Sequence, residues 1–162
     1  MLKINTKETV TFAVLMALTV IITMLIRIPA VVTNGYVNLG DMVVLFSAMF
    51  LGKKAGFYVG GFGSAIADLL LGYAYYAPIT FIVKGLEGWL CGFIYERSHK
   101  QKPLLAAILA GIWMVCGYFV AESFLYTPAA ALAATPGNLA QGIIGAFSAL
   151  LLEKSIGTQL HT

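Results

Sequence analysis

Apolar runs dominate this chain, and short polar or turn-rich stretches cut them into six pieces. At roughly 20 residues per span, the runs predict helices over 9–28, 39–52, 55–72, 79–96, 104–126 and 137–156. Pro29 stops the first, since proline lacks an amide donor and pushes the residue before it out of helical geometry. A polar loop over 29–38 follows, with Thr33-Asn34-Gly35 as its turn signal. The second helix ends at Lys53-Lys54 and is short for a span, as fits a tilted or partly sunken segment. The third is glycine-rich, climbs to Asp68 and breaks at Gly72-Tyr73. An aromatic loop ends at Pro78, a basic one covers 97–103, and Pro128 and Pro136 punctuate the loop before the sixth helix. The expected class is an all-α membrane protein, a six-helix bundle forming one integral domain over 1–162.

Composition supports the bilayer as solvent. The chain is 60% hydrophobic and 10% charged, against about 25% charged residues in soluble domains, and its mean hydropathy is +0.89. Six spans in 162 residues leave no room for a soluble domain. Lys3 and Lys7 ahead of an apolar run resemble a signal peptide, but the run over 9–26 is long and no small-x-small cleavage site follows, so it reads as the first span. Cys91 and Cys116 lie in apolar helices without a C-x-x-C and read as inert core thiols. The net charge of +3 forms no basic patch, so no nucleic-acid partner is expected. Its placement is informative: Lys3, Lys7, Lys53, Lys54, Arg97, Lys100, Lys102 and Lys154 fall on one side of the six-helix arrangement, and only Arg27 on the other. The positive-inside rule then puts both termini in the cytoplasm and the first, third and fifth loops outside.

Several ionisable residues sit within the spans. Asp41 is near the outer start of the second helix and Asp68 one turn below the outer end of the third. Lys84 lies roughly 8 Å down the fourth helix at 1.5 Å per residue, Glu87 is one turn deeper, and Glu122 is one turn from the outer end of the fifth. A charge at bilayer depth costs at least a few kcal/mol, so such residues face a cavity or a partner. All of them lie in the outer half, and the inner half is apolar, as in a cup open outside and closed below. A self-contained channel or facilitator, the alternative function, needs polar groups along its whole depth. Lys84 and Glu87 are three apart and share a helix face. They either line a ligand cavity or only pair with each other. With Arg27, Asp41, Asp68 and Glu122 they sum to minus two if all are ionised, which favours a neutral polar or cationic ligand. Asn38, Asn138 and Gln141 lie at similar depth. Tyr73, Tyr75 and Tyr76 fit an interfacial belt or, for Tyr73 or Tyr76, a lid over a flat ring. Gly56, Gly60 and Ser64 share a small-residue face suited to close helix packing.

Catalytic signatures are missing. There is no G-x-x-x-x-G-K-[ST] loop for ATP. Gly61-Phe62-Gly63-Ser64 faintly resembles an intramembrane protease nucleophile, but His99 and His161, the only histidines, fall in the cytoplasmic loop and tail, and a serine nucleophile needs a base beside it. No His or Cys cluster suits a transition metal, and no cofactor is expected.

Three segments together resemble a known family. They are Asn38-Leu39-Gly40-Asp41, the glycine-rich run from Gly60 through Asp68-Leu69-Leu70 to Tyr73, and Lys84-Gly85-Leu86-Glu87-Gly88, with Ala77-Pro78 between the last two. In order and spacing the set resembles the substrate-binding (S) components of energy-coupling-factor (ECF) vitamin transporters, in the riboflavin-transporter-like subgroup that includes hydroxymethylpyrimidine and pyridoxine carriers. The resemblance covers about half of the chain, over 38–89. It implies six helices in the bacterial plasma membrane, an outward site built from helices four to six and loops one, three and five, and no transport by the lone chain. It implies as partners a transmembrane coupling subunit, two ATPase subunits, a small-molecule vitamin and the lipid bilayer. It further implies that Ala13 and Ala17, an A-x-x-x-A on the first helix, contact the coupling subunit, and that the S component topples in the membrane to release its cargo.

Overall fold

The computed structural model describes residues 6–30 and 33–160. His161 and Lys3 lie outside them. Among the described residues there are six helices. They are α1 (Thr6–Leu25), α2 (Gly40–Leu51), α3 (53–70), α4 (Ala77–Arg97), α5 (Pro103–Leu125) and α6 (Pro128–Leu160). α1, α4 and α5 are long and apolar enough to cross a membrane, and α2 is a shorter apolar helix.

Two ends differ from the sequence expectation. α1 stops at Leu25, and the residues expected to finish it form strand β1 (Arg27–Ala30), paired antiparallel with β2 (Gly35–Asn38). Pro29 explains this, because it drives the preceding residue toward extended geometry and is tolerated in a two-stranded edge. Asn34, at φ 47, takes the left-handed turn position that asparagine accepts more readily than most residues. The other difference is α6, which begins at Pro128 and carries Pro136 inside it instead of starting at 137. Pro128 suits a first helical position, and the alanine-rich stretch after it has high helix propensity. Tertiary packing offsets the hydrogen bond that Pro136 cannot return.

Glycines set the close approaches. α3 consists of Lys53–Tyr58, a π-helical turn Val59–Gly63 and Ser64–Leu70. The π turn falls on Val59-Gly60-Gly61-Phe62-Gly63, where three glycines weaken the regular ladder. A Cβ on Gly56 would collide with the backbone of Gly88, and one on Gly60 with the carbonyl of Lys84. The small-residue face of α3 therefore packs backbone to backbone on α4.

The bundle has two unlike ends. At one, Lys53 pairs with Glu96 at 3.1 Å, and Tyr95 donates to Glu153 at 2.6 Å. Above this end lies a tight apolar core of Leu45, Ala48, Cys91, Ala106, Ala110 and Ala149. The other end carries the hairpin, loop 71–76 and the start of α6. There Tyr75 donates to the Asn34 carbonyl at 3.1 Å, and Tyr126 to the Tyr75 hydroxyl at 3.3 Å. Cys91 is buried as expected, whereas Cys116 is exposed on the outer face of α5. Large apolar side chains on α1, α5 and α6 face outward, among them Val14, Ile112, Phe124 and Phe147. A surface of this kind suits lipid.

Candidate binding site

Polar side chains in the spans come as pairs one helical turn apart, so each pair faces one way. Ser64 and Asp68 do so on α3, Thr80 and Lys84 on α4, Tyr118 and Glu122 on α5, and Asn138 and Gln141 on α6. The four faces converge on one cavity at the hairpin end, closed by Gly35, Tyr36 and Asn38 of β2 and by Tyr76. Its free void is about 30 Å3. A second cavity of about 240 Å3 lies between the hairpin and α6 and shares Tyr36, Glu122 and Asn138 with the first.

Beneath the cavity is a buried charge network. Lys84 donates to Asp41 and, at 2.9 Å, to Glu87. Gln141 Nε2 donates to the other Asp41 oxygen at 3.0 Å, and the Asn38 amide donates to Gln141 Oε1 at 2.8 Å. The Asn38 side chain in turn accepts from the Gly40 amide at 2.7 Å. Asp41 stands in the first turn of α2, where the helix dipole favours a negative charge. Gly145 of α6 lies directly against its Cβ. From the sequence, Lys84 and Glu87 either line a ligand cavity or only pair with each other; in the structure Lys84 lines the cavity and is the centre of a triad with Asp41 and Glu87. Arg27 is exposed on β1, so it leaves the charge count. Four carboxylates (Asp41, Asp68, Glu87, Glu122) against one ammonium give a formal minus three.

Tyrosines close the top. Tyr36 donates to Asp68 Oδ1, and Tyr76 OH sits 3.1 Å from the Thr33 carbonyl and 3.3 Å from Glu122 Oε1. Burial first, then the neighbouring Asp68, hold the Tyr36 phenol above its ordinary pKa, so it stays a donor. Tyr118 donates to Thr80 at 3.2 Å, and its ring lies 5.8 Å from the Lys84 ammonium, within cation–π range. Three buried atoms of the lining, Asp68 Oδ2, Glu122 Oε2 and Asn138 Nδ2, have no protein hydrogen-bond partner.

Of the residues expected at the site, Asn38, Asp68, Tyr76, Lys84, Glu122, Asn138 and Gln141 line the cavity. Asp41 and Glu87 are buried behind Lys84. Tyr73 does not line it; its ring packs on Tyr36 at 5.0 Å. Gly35, Tyr36, Ser64, Thr80 and Tyr118 also line the cavity and were not expected there. For the last three the signal was present, since each stands one turn before an ionisable residue already singled out. Ala13 and Ala17 lie exposed on α1, apart from the cavity.

Comparison with known proteins agrees with this architecture. A Pyrococcus woesei protein described as "Uncharacterized protein in gap 3'region" is 37% identical over 144 residues, covering 86% of this chain and 97% of that one. The "Thiamine precursor transporter HmpT" of Lactococcus lactis subsp. cremoris is 29% identical over 153 residues, covering 94% of this chain and 89% of that one. Residues 3–158 match the family described as "ECF-type riboflavin transporter, S component". A membrane bundle with this cavity and a match along nearly its whole length belongs to the S-component family of ECF-type riboflavin transporters.

Proposed function

We propose that this chain is the membrane-embedded substrate-binding subunit of an ECF-type ABC transporter. It captures a small vitamin or vitamin precursor from outside for ATP-driven uptake. The observation that carries this reading is a buried polar cavity at the hairpin end, stopped below by the alanine-packed core. Such a chain binds but does not conduct. The thiamine-precursor name of the Lactococcus relative favours a hydroxymethylpyrimidine, with pyridoxine, riboflavin or another vitamin as alternatives. Asp68, Lys84, Glu122, Asn138 and Gln141 contact the ligand, Asn38, Asp41 and Glu87 brace Lys84, and Tyr76 covers the site with Tyr73 behind the lid. The whole chain is one multi-pass domain with both termini in the cytoplasm. It has no catalysis of its own; a transmembrane coupling subunit and two ATPase subunits supply the work.

Proteoliposomes test the division of labour. The lone protein is expected to bind without accumulating solute, and uptake is expected only with the complete ECF module and ATP. Solute flux through the lone protein would instead support a facilitator. For orientation, a cysteine placed in the loop at Gln101 is expected to resist an impermeant thiol reagent in intact cells; labelling from outside would invert the topology.

Ala13 and Ala17 are the proposed docking face for the coupling subunit. Both are exposed on α1, and small residues permit close helix approach. Ala13→Leu with Ala17→Leu is expected to weaken the complex in pull-down and slow uptake while leaving ligand affinity of the isolated chain unchanged. Normal uptake by this double variant would show that the face lies elsewhere.

A further inference from the structure

We propose that Asp68, Glu122 and Asn138 recognise an exocyclic amine and its neighbouring ring nitrogen, so that the cavity selects an aminopyrimidine over an oxo-pyrimidine, a hydroxypyridine or a flavin. The proposal rests on the reading above, that this cavity is the vitamin site. Asp68, Glu122 and Asn138 are 3%, 4% and 9% exposed. Each lines the cavity with one polar atom that no protein group satisfies. Buried polar atoms are almost always hydrogen-bonded, so three orphans around one void point to a ligand. Thr80 stands beside the Asp68 carboxylate and Thr33 beside that of Glu122, yet Asp68 Oδ2 and Glu122 Oε2 are left without a hydrogen-bond partner.

The chemistry of the three atoms is asymmetric. An ionised carboxylate only accepts, and an amide nitrogen only donates. The complementary ligand therefore offers two donors and one acceptor. An aromatic amine supplies two N–H groups, and the adjacent ring nitrogen supplies the lone pair. The carboxyl groups clustered at the cavity act in the same direction: they favour a donor-rich or cationic edge over a carbonyl or phenolate. An oxo-pyrimidine presents a carbonyl where the amine stood, and a flavin presents two. Tyr36 and Tyr76 already hold the other oxygens of Asp68 and Glu122. That fixes both carboxylates before a ligand arrives.

The test is titration calorimetry on the full-length protein. The probes are 4-amino-5-hydroxymethyl-2-methylpyrimidine, its 4-oxo counterpart, pyridoxine and riboflavin. The amino compound is expected to bind tightest, and the 4-oxo compound about ten- to a hundredfold more weakly, the range for one hydrogen bond to a charged group. Asp68→Asn, shown folded by its melting curve, is expected to weaken the amino compound and shrink the amino-to-oxo ratio. A purely structural role for Asp68 would lower both affinities alike and leave that ratio unchanged, which would overturn its assignment. Equal affinity for the two pyrimidines, or tighter binding of pyridoxine or riboflavin, would overturn amine recognition and leave the vitamin-binding reading intact. No binding of any of the four probes would likewise overturn amine recognition, and the vitamin-binding reading would then be decided by retention from the full mixture of B vitamins and precursors.

Discussion

Lys84→Met is expected to destabilise the protein by about 3–5 kcal/mol, the range for removing one partner of a buried ion pair. The substitution strands two carboxylates, because Lys84 donates to both Asp41 and Glu87, and all three are buried. Glu87 also has an oxygen, Oε1, with no partner even in the intact network, so it has no other donor to fall back on. At about 2–4 °C per kcal/mol for a chain of this size, the melting temperature should fall by roughly 10 °C. Companion variants separate a pair from a triad. Lys84→Met with Glu87→Leu leaves Asp41 unpaired apart from Gln141 and should stay well below the wild type. Adding Asp41→Asn should recover most of the loss, since Gln141 Nε2 still finds an amide oxygen. Full recovery in the Lys84→Met, Glu87→Leu double variant alone would show that Asp41 does not depend on Lys84.

Gly88→Leu is expected to abolish the folded, monodisperse protein. A Cβ at Gly88 would meet the carbonyl oxygen, carbonyl carbon and Cα of Gly56, all within 2.9 Å. The obstruction is backbone on backbone, so no side chain can rotate away. Overpacking costs typically 1–3 kcal/mol where side chains can yield, and here α3 and α4 must separate. That separation would also move Asp68 on α3 relative to Lys84 on α4 and open the cavity wall. Gly111→Ala is the control. Its nearest neighbour outside its own helix is the Gly142 Cα at 4.0 Å, so alanine fits and gains up to about 1 kcal/mol of helix propensity. Size-exclusion chromatography and melting curves of the two variants distinguish them. A Gly88→Leu protein that elutes and melts like the wild type would refute the close α3–α4 contact.

Much of the bundle was legible because spans are read from hydropathy, and the site's depth was legible because charges are rare in spans. The order NLGD, a glycine-rich run to Asp68 and K-G-x-E-G carried the family. The misread parts have physical reasons. The hairpin depends on Pro29 meeting a partner strand, and local pattern showed only a polar loop. Pro136 looked like a boundary because its cost is local, while the packing of α6 on α2 and α5 that offsets it is not. Asp41 and Lys84 are 43 residues apart, so only Glu87, one turn away, was visible as a partner. Arg27 enters the sequence-based charge sum as the end of a helix near the interface; the segment is a strand instead, and Arg27 is exposed on it. Tyr36 gave no signal that distinguished it from other loop tyrosines. Thr80 and Tyr118 did, through their one-turn spacing to Lys84 and Glu122.

The most direct measurement is retention of ligand from a mixture. The purified protein is incubated with B vitamins and their precursors, freed of unbound solute by gel filtration, denatured, and its extract analysed by mass spectrometry. The expected result is one small heteroaromatic compound, with the aminopyrimidine foremost, retained near one per chain and lost from the folded Asp68→Asn variant. An extract with no vitamin or precursor above that of an unrelated membrane protein would contradict the assignment of the cavity as a vitamin site.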